Sequence, residues 1–370
     1  MGKKSRRKKS KEKAQPQVST NDLERALTLH RLRELELESS PYSSAQQERH
    51  YSGWTDALVR LRVKYELLGK EGWWWVFDDA LKEIAESLIK HNFVIIDGFL
   101  GSKLAPSMQR ELERAYRAGR LPETKHEMIG CPRLEPGALA GGSTGNNLSY
   151  KMDAVRGDFV AWVTGKESAC EWTALPELMT RLSTLVSELG DSHVPELKGI
   201  KERANPMITC YPGGGAHYVK HCDNTPSVAN GRRITSLYYA NGAWKRGDGG
   251  ELRVYAPATA ETGPEAVTAP ICDVAPIGDR VVLFFSDCRV PHEVLPARTL
   301  RFAVTLWFFD SAERARAKQN ADDSKAEREK IEKEIEKFEK KFGEKAAIAG
   351  KNASEQVGRV EGSSILFEPD

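Results

Sequence analysis

The chain of 370 residues is long enough for one large domain or two small ones with a substantial buried core. Its 55 basic and 53 acidic side chains nearly balance, but eight of the basic residues and one acidic residue fall within residues 1–13, so a mildly acidic body follows a basic start. No apolar run approaches the roughly 18 residues that a membrane span needs, and no signal-peptide core is present. These features argue against a membrane protein, and we expect a soluble chain of the cytoplasm, the nucleus or both.

The first 40 residues open on "MGKKSRRKKSKEK", which lacks the apolar residues of a core and predicts a basic, largely disordered tail over 1–40. Such a cluster is compatible with nuclear import or with weak contact to nucleic acid. Within it, "NDLERALTLHRLRELELE" has the spacing of a short helix, which we expect to lie outside the core. We interpret residues 41–75 as a helical or linker segment.

A folded domain is expected over residues 76–312. Hydrophobic periodicity predicts helices over 78–90, 103–118 and 174–189 and a strand over 93–97. A Gly-rich stretch at 131–149 predicts a mobile loop. The later β-rich segments, separated by turn-forming residues, are 206–211, 217–222, 233–240, 251–255, 280–285 and 300–309. Short strands in such a succession predict a barrel or sandwich.

The end of the chain predicts a charged amphipathic helix over 313–348, followed by a flexible tail over 349–370. Its apolar residues form one stripe made of Ile331, Ile335, Phe338 and Phe342. The stripe covers less than two heptads, which favours docking on the chain's own domain over a coiled-coil dimer. We therefore expect a monomer.

The stretch "YVKHCDN" places His221 and Asp223 two positions apart in a predicted strand. Residues two apart in a strand share a face, so both side chains can enter one cavity while Cys222 points away. A third potential ligand, His292, ends another strand segment. Two histidines and one carboxylate on one face of an octahedral ion are the arrangement of non-haem Fe(II) oxygenases, which leaves room for a 2-oxo acid and dioxygen.

Arg301 begins the last predicted strand and suits the far carboxylate of a 2-oxo acid. Its planar fork offers two parallel charge-assisted hydrogen bonds to a carboxylate. Strand alternation places Ala303, Thr305 and Trp307 on the same face as Arg301. The predicted pocket wall therefore combines a cation, a hydroxyl and an indole.

Several sequence blocks, in order, closely resemble the hypoxia-inducible-factor prolyl 4-hydroxylases and the cytoplasmic Skp-type prolyl hydroxylases of non-animal eukaryotes. These blocks are "RGDFVAW" at 156–162, "CYPGGGAHYVKHCDN" at 210–224, "LYYANGAW" at 237–244, "GGELR" at 249–253, "PHEVLPA" at 291–297 and "DSAERARAK" at 310–318. The resemblance runs over about residues 80–318. It implies an α+β fold in which a double-stranded β-helix, a jelly-roll or cupin-like barrel, is supported by N-terminal helices and followed by a charged C-terminal helix.

The resemblance also implies roles for individual residues. It places Fe(II) on His221, Asp223 and His292, with 2-oxoglutarate as cosubstrate, O2 as oxidant and L-ascorbate as a supporting reductant. Arg301 and the hydroxyl of Tyr239 would hold the 5-carboxylate of 2-oxoglutarate. Further matched positions are Tyr211, Leu252, Thr305 and Trp307 for the 2-oxoglutarate pocket, and Arg232 and Trp162, the latter in a loop over 156–165, for the protein substrate.

The expected activity is that of a peptidyl-prolyl 4-hydroxylase acting on an intracellular protein that carries the target proline, with oxygen sensing as a suggested role. A ribosomal-protein hydroxylase or another protein hydroxylase of the same superfamily stays open as an alternative, as does a non-catalytic binding module on the same barrel. Zinc-peptidase chemistry through His217 and His221 is disfavoured, because the preceding glycines argue against a helix and no glutamate lies between the two histidines.

Overall fold

The computed structural model of the protein describes residues 18–38, 55–118, 132–137, 155–165, 171–225, 229–257 and 269–320, with the single positions 330 and 333. Among these residues, no helix has the length and apolar character needed to cross a bilayer. The predicted stripe on the C-terminal helix and the Gly-rich stretch beyond residue 137 fall outside the described residues.

The helices flank the sheets, and most of them occur close to where hydrophobic periodicity predicts them; the helix at Thr55–Leu67 lies within residues 41–75, the segment interpreted as helical or a linker. They are α1 (Thr20–Glu38), α2 (Thr55–Leu67), α3 (Asp78–His91), α4 (Ala105–Ala118) and α5 (Ala174–Ser192), and residues 311–320 are also helical. The predicted helix near the N-terminus is α1, whose Glu24 pairs with Arg60 of α2 at 3.3 Å. Amphipathic α3 and α5 bury most of their apolar residues, among them Ile84, Leu88 and Leu182.

The larger sheet is antiparallel throughout and carries the central strand of the fold. Its order is β1 (Phe93–Asp97), β10 (Arg280–Phe285), β7 (Arg232–Tyr239), β12 (Arg301–Phe309), β5 (Met207–Tyr211), β3 (Phe159–Trp162) and β2 (Glu135–Pro136), with β4 (Glu202–Arg203) paired to the end of β12. In this register Arg301 lies opposite Tyr211, and Ala303 lies opposite Tyr239 on the other side.

The smaller sheet runs in the order β6 (Ala216–His221), β11 (His292–Ala297), β8 (Leu252–Tyr255) and β9 (Pro270–Val274). Its inner face packs on the larger sheet in one apolar cluster, to which Leu252 and Val294 contribute from one side and Val282 and Phe284 from the other. Two antiparallel sheets facing each other in this way form the barrel that the sequence predicts.

Strand β12 shows why the barrel holds together. All nine of its residues are buried. Its even positions, such as Val304 and Leu306, pack in the cluster that includes the helices, whereas Ala303 belongs to the cluster between the sheets. The alternation predicted from the sequence is confirmed, and it points Arg301 and the residues of its face into the barrel.

Several strand predictions need correction. Residues 159–162, interpreted as part of a loop, form β3 and pair with β5. Strand β9 was not predicted at all. His292 begins β11 rather than ending a strand. The strand is hard to predict from the sequence because Pro291 directly precedes it and Pro296 lies at a register shift within it, and proline is rare inside strands. Asp223 lies beyond β6, which ends at His221.

Candidate active site

A cavity of about 470 Å³ opens between the two sheets. Both sheets contribute to its wall. The predicted site residues that line it are Trp162, Tyr211, His221, Asp223, Arg232, Leu252, His292, Arg301, Thr305 and Trp307. Tyr239 lies behind this wall, with its ring centroid 4.9 Å from the guanidinium carbon of Arg301. The structure thus gathers residues from seven separate parts of the chain around one space.

His221, Asp223 and His292 meet at one end of the cavity. Strand pairing places His292 directly opposite His221, and their ring centroids are 4.4 Å apart. Nε2 of His221 lies 3.8 Å from Oδ1 of Asp223, and the potential ligand atoms of all three residues lie within 4.8 Å of one another. Two imidazoles and a carboxylate at this spacing are a donor set that suits Fe(II).

Backbone contacts set the tautomer of both histidines. Nδ1 of His221 lies 2.9 Å from the carbonyl oxygen of Val219, and Nδ1 of His292 lies 2.9 Å from that of Val290. A carbonyl only accepts hydrogen bonds, so each Nδ1 carries a proton, and Nε2 is the ring nitrogen left for a metal. Burial, together with neighbouring His292, lowers the pKa of His221 to about 3, so this imidazole is neutral at physiological pH.

The carboxylate of Asp223 is oriented by side chains. Thr235 donates a hydrogen bond from Oγ1 to Oδ2 at 2.7 Å, and the same hydroxyl lies 2.8 Å from Oγ of Ser286. Burial by itself would raise the pKa of Asp223, but the two imidazoles, Arg232 and the Thr235 hydrogen bond together lower it below its usual value. Asp223 is therefore ionised, as a metal ligand must be.

Arg301 forms a different kind of site at another part of the cavity wall. Its side chain is only 3% exposed, and Nε donates to the carbonyl oxygen of Gly250 at 2.7 Å. The guanidinium lies over the rings of Tyr211 and Tyr239, at 4.7 and 4.9 Å from their centroids. Among the described residues no carboxylate forms an ion pair with Arg301. A buried cation without an anionic partner is costly, which predicts an anionic ligand here.

The polar atoms around Arg301 fit a dicarboxylate. Within the part of the chain that the structure describes, the buried Tyr239 hydroxyl beside Arg301 has no hydrogen-bond partner, and Thr209 Oγ1 and Trp307 Nε1 lack one elsewhere on the cavity wall. Burial raises the pKa of both Tyr211 and Tyr239, so their hydroxyls stay protonated and can donate. The Tyr239 hydroxyl, beside a guanidinium that has no carboxylate partner among the described residues, is a donor that a bound carboxylate would satisfy.

Aromatic side chains and Arg232 line the remaining wall of the cavity. The guanidinium carbon of Arg232 lies 3.8 Å from the Trp307 ring, and the rings of Trp162 and Trp307 are 5.6 Å apart. Trp162 is held by the pairing of β3 with β5 rather than by a loop, which corrects the expectation for residues 156–165. This wall combines a positive charge with flat apolar surfaces, which suits a peptide chain.

Sequence reasoning gave no individual role to a stack behind His221. Tyr218 stacks on the His221 ring at 3.9 Å, and the guanidinium carbon of Arg156 lies 4.7 Å from the Tyr218 ring. Arg156 in turn donates two hydrogen bonds to the buried carboxylate of Asp158, at 2.6 and 3.0 Å. The block "RGDFVAW" contains Arg156 and Asp158, but only pairing of residues 155–157 with β6 reveals that they support a potential metal ligand.

Comparison with known proteins agrees with this geometry. Residues 206–309 match the family described as the 2OG-Fe(II) oxygenase superfamily. Prolyl hydroxylase EGLN3 of Homo sapiens is 36% identical over 245 residues, which are 65% of this chain and 87% of the human protein. Egl nine homolog 1 of Rattus norvegicus is 34% identical over 247 residues, or 65% of this chain and 61% of that longer protein.

A solved structure resembles the fold over a similar range. A prolyl hydroxylase from Trichoplax adhaerens, in complex with a hypoxia inducible factor oxygen degradation domain peptide fragment, aligns with a TM-score of 0.51 and 30% identity. The alignment covers 68% of this chain and 95% of that one. Fold and donor set thus define a 2-oxoglutarate-dependent Fe(II) dioxygenase. Within that class, the chain belongs to the family of HIF-type prolyl hydroxylases.

Proposed function

We propose that this dioxygenase hydroxylates C4 of a prolyl residue in a protein substrate. His221, Asp223 and His292 would hold the Fe(II), and Arg301 with Tyr239 would bind the 5-carboxylate of 2-oxoglutarate. Family membership supports the reaction class, and the convergence of the three ligand residues supports the metal site. O2 is the co-oxidant, and L-ascorbate would keep the iron reduced.

The observation that carries the proposal is the position of Arg301 relative to the triad. A buried guanidinium without a carboxylate partner among the described residues lines the same cavity as the three ligand residues. A ligand with an acidic group at each end can satisfy Arg301 with one carboxylate while the other approaches the metal. 2-Oxoglutarate has this form, and its 2-oxo acid end can chelate a metal that has open sites.

Each side chain has a defined task in this scheme. When bound, Fe(II) supplies the activation of O2 that couples the conversion of 2-oxoglutarate into succinate and CO2 to hydroxylation of the substrate. Each imidazole would offer Nε2 to the metal, because the carbonyls of Val219 and Val290 hold the Nδ1 proton. Apolar Leu252 and Val294 in the cavity wall help to exclude water, which strengthens the carboxylate interaction of Arg301.

The protein substrate would enter beside Arg232 and Trp162, where charge and flat apolar surface occur together. The Trichoplax enzyme binds a hypoxia inducible factor peptide, which supports a HIF-type target; a Skp-type adaptor is the alternative target. The proposal includes a monomeric enzyme of the cytoplasm or nucleus, with oxygen sensing as its role. The basic N-terminal tail would provide at most weak contact with nucleic acid.

The test is an anaerobically reconstituted assay with Fe(II), 2-oxoglutarate and ascorbate, started by adding O2. HIF-type, Skp-type and ribosomal-protein peptides that contain proline are supplied in parallel, and succinate and peptide mass are both measured. We expect O2-dependent gain of one oxygen atom on proline in one class of peptide, and no gain without 2-oxoglutarate. Peptide binding without any turnover would instead identify a non-catalytic binding module.

A further inference from the structure

The helix at residues 311–320 begins against the loop that follows Asp223. Asp310 caps this helix, because its Oδ1 accepts a hydrogen bond from the backbone N–H of Glu313 at 2.9 Å. In a capping box, a glutamate at this position would accept the N–H of the capping residue. Here the N–H of Asp310 donates to the carbonyl oxygen of Gly231 at 2.8 Å instead, so the Glu313 carboxylate is available for another partner.

That partner is Asn224, the residue next to Asp223. Nδ2 of Asn224 donates to Oε1 of Glu313 at 3.0 Å and to the carbonyl oxygen of Arg232 at 2.9 Å, which uses both hydrogens of its amide. Oδ1 of Asn224 accepts the N–H of Asn230 at 3.1 Å, and Nδ2 of Asn230 donates to the carbonyl oxygen of Asp223 at 2.9 Å. Asn224 is only 8% exposed, so loss of a partner leaves a buried amide hydrogen unsatisfied.

We propose that Glu313 is a positioning residue, which holds the Asp223 carboxylate in place for the metal through Asn224. The inference rests on the metal site proposed above. Because Asp223 lies beyond the end of β6, its position depends on local contacts, namely the backbone bond from Asn224 N–H to the carbonyl oxygen of Ser286 at 2.8 Å and side-chain bonds such as the one from Asn230. Glu313 links this network to an element outside both sheets.

A simpler role for Glu313 would be to dock the helix on the barrel. The same helix has a second contact that does only this: Nε of Arg314 lies 2.9 Å from Oε1 of Glu202 on β4, and its guanidinium stacks over Phe309. Glu202→Ala therefore removes one carboxylate contact from the same helix without touching Asn224. It is the matched control for Glu313→Ala.

A second comparison separates the hydrogen bond from the charge. Glu313→Gln keeps an oxygen that can accept from Asn224, but it removes the negative charge that lies 3.5 Å from Nη2 of Arg233. If the hydrogen bond to Asn224 positions Asp223, the glutamine should preserve metal affinity. If the ion pair is the important contact, the glutamine should behave like the alanine.

The experiment measures the dissociation constant of Mn(II), the metal used as probe, by calorimetry on the full chain. We expect Glu313→Ala to weaken binding about 10-fold, as loss of groups that orient metal ligands commonly does, and Glu313→Gln to stay within about threefold. Glu202→Ala should lower the melting temperature yet keep the wild-type affinity for Mn(II). Adding Glu313→Ala to Asn224→Ala should weaken binding no further, because both changes break one link.

The KM for 2-oxoglutarate should not change in Glu313→Ala, because Arg301, which would bind its 5-carboxylate, lies on β12 and outside the hydrogen-bond network of Asn224. Wild-type affinity for Mn(II) in Glu313→Ala, or an equal loss in Glu202→Ala, would overturn the positioning role and leave only helix docking. If the wild-type chain itself does not bind Mn(II), the metal site fails, and this inference fails with it.

Discussion

The two chemically active parts of the cavity are held by different kinds of structure. Arg301 lies on β12, which pairs with β5 and β7 and is buried along its whole length. Asp223 lies past the end of β6, and hydrogen bonds from Thr235 and Asn230 fix it. One part therefore depends on a backbone ladder, and the other mostly on side-chain hydrogen bonds, with one backbone bond from Asn224 N–H to the carbonyl oxygen of Ser286 at 2.8 Å.

The difference predicts how each part responds to substitution. A strand paired on both sides over most of its length resists local change, so the affinity for 2-oxoglutarate should depend on the few residues that touch Arg301. A side-chain network transmits change, because each missing hydrogen bond leaves a buried group unsatisfied. The affinity for the metal should therefore also depend on residues that never contact it, such as Asn224.

The largest effect is expected when a ligand itself is removed. Asp223→Ala should weaken Mn(II) binding by more than about 100-fold, since loss of groups that merely support a ligand already costs about 10- to 100-fold. His217→Ala is the matched control, because His217 lies on β6, the strand that precedes Asp223, but outside the group of residues that could hold the ion. Equal losses in the two variants would show that His217 takes part and would revive the rejected histidine pair.

Arg301→Lys should have the next largest effect, and on the other ligand. Lysine keeps the charge but loses the planar fork, so we expect the KM for 2-oxoglutarate to rise roughly 10- to 100-fold, in line with the value of hydrogen bonds to charged groups. Mn(II) affinity without 2-oxoglutarate should stay within about twofold. As a control, Arg253→Lys changes an arginine that pairs with Asp273 on the smaller sheet. An unchanged KM in Arg301→Lys would contradict the carboxylate role.

Gly250→Ala tests whether the position of the Arg301 side chain depends on the backbone residue that it contacts. Gly250 has φ of +76°, and an added Cβ would lie 2.9 Å from Cδ of Arg301. We expect a loss of about 1–3 kcal/mol in the free energy of unfolding and an increase in the KM for 2-oxoglutarate smaller than that of Arg301→Lys. Gly214→Ala has similar backbone strain, with φ of +66°, but its added Cβ would meet nothing within 4 Å. A KM increase shared by both variants would indicate general strain rather than displacement of Arg301.

The same contrast explains what the sequence predicts well. Strand alternation correctly predicts that the face from Arg301 to Trp307 lines the cavity, because every second side chain of a regular paired strand points to the same side of the sheet. The pairing of His221 and Asp223 also occurs, but not for the predicted reason, since Asp223 has left the strand. Asn224, Asn230 and Glu313 were given no individual role, because a hydrogen-bond network between distant segments has no periodic pattern in the sequence.

The smallest effect on the site is expected at Asp279, which lies in the turn before β10 and outside the cavity wall. Its carboxylate accepts hydrogen bonds from the N–H groups of Leu100 and Gly101, at 2.7 and 2.8 Å, and from the hydroxyl of Tyr238 at 3.2 Å. Burial nevertheless raises its pKa to about 6, above the usual 3.8. At pH values between about 4 and about 6, Asp279 therefore keeps its proton in the folded chain but has largely lost it in the unfolded chain.

Stability should consequently fall as pH rises from about 4 to about 6, because the unfolded chain loses its proton first. The contribution of Asp279 to the free energy of unfolding should decrease by at most about 3 kcal/mol over this range. Asp279→Asn does not titrate, so urea unfolding of this variant should lack that part of the pH dependence. Mn(II) affinity and the KM for 2-oxoglutarate should match the wild type at pH 7; a change in either would show that this turn is coupled to the cavity.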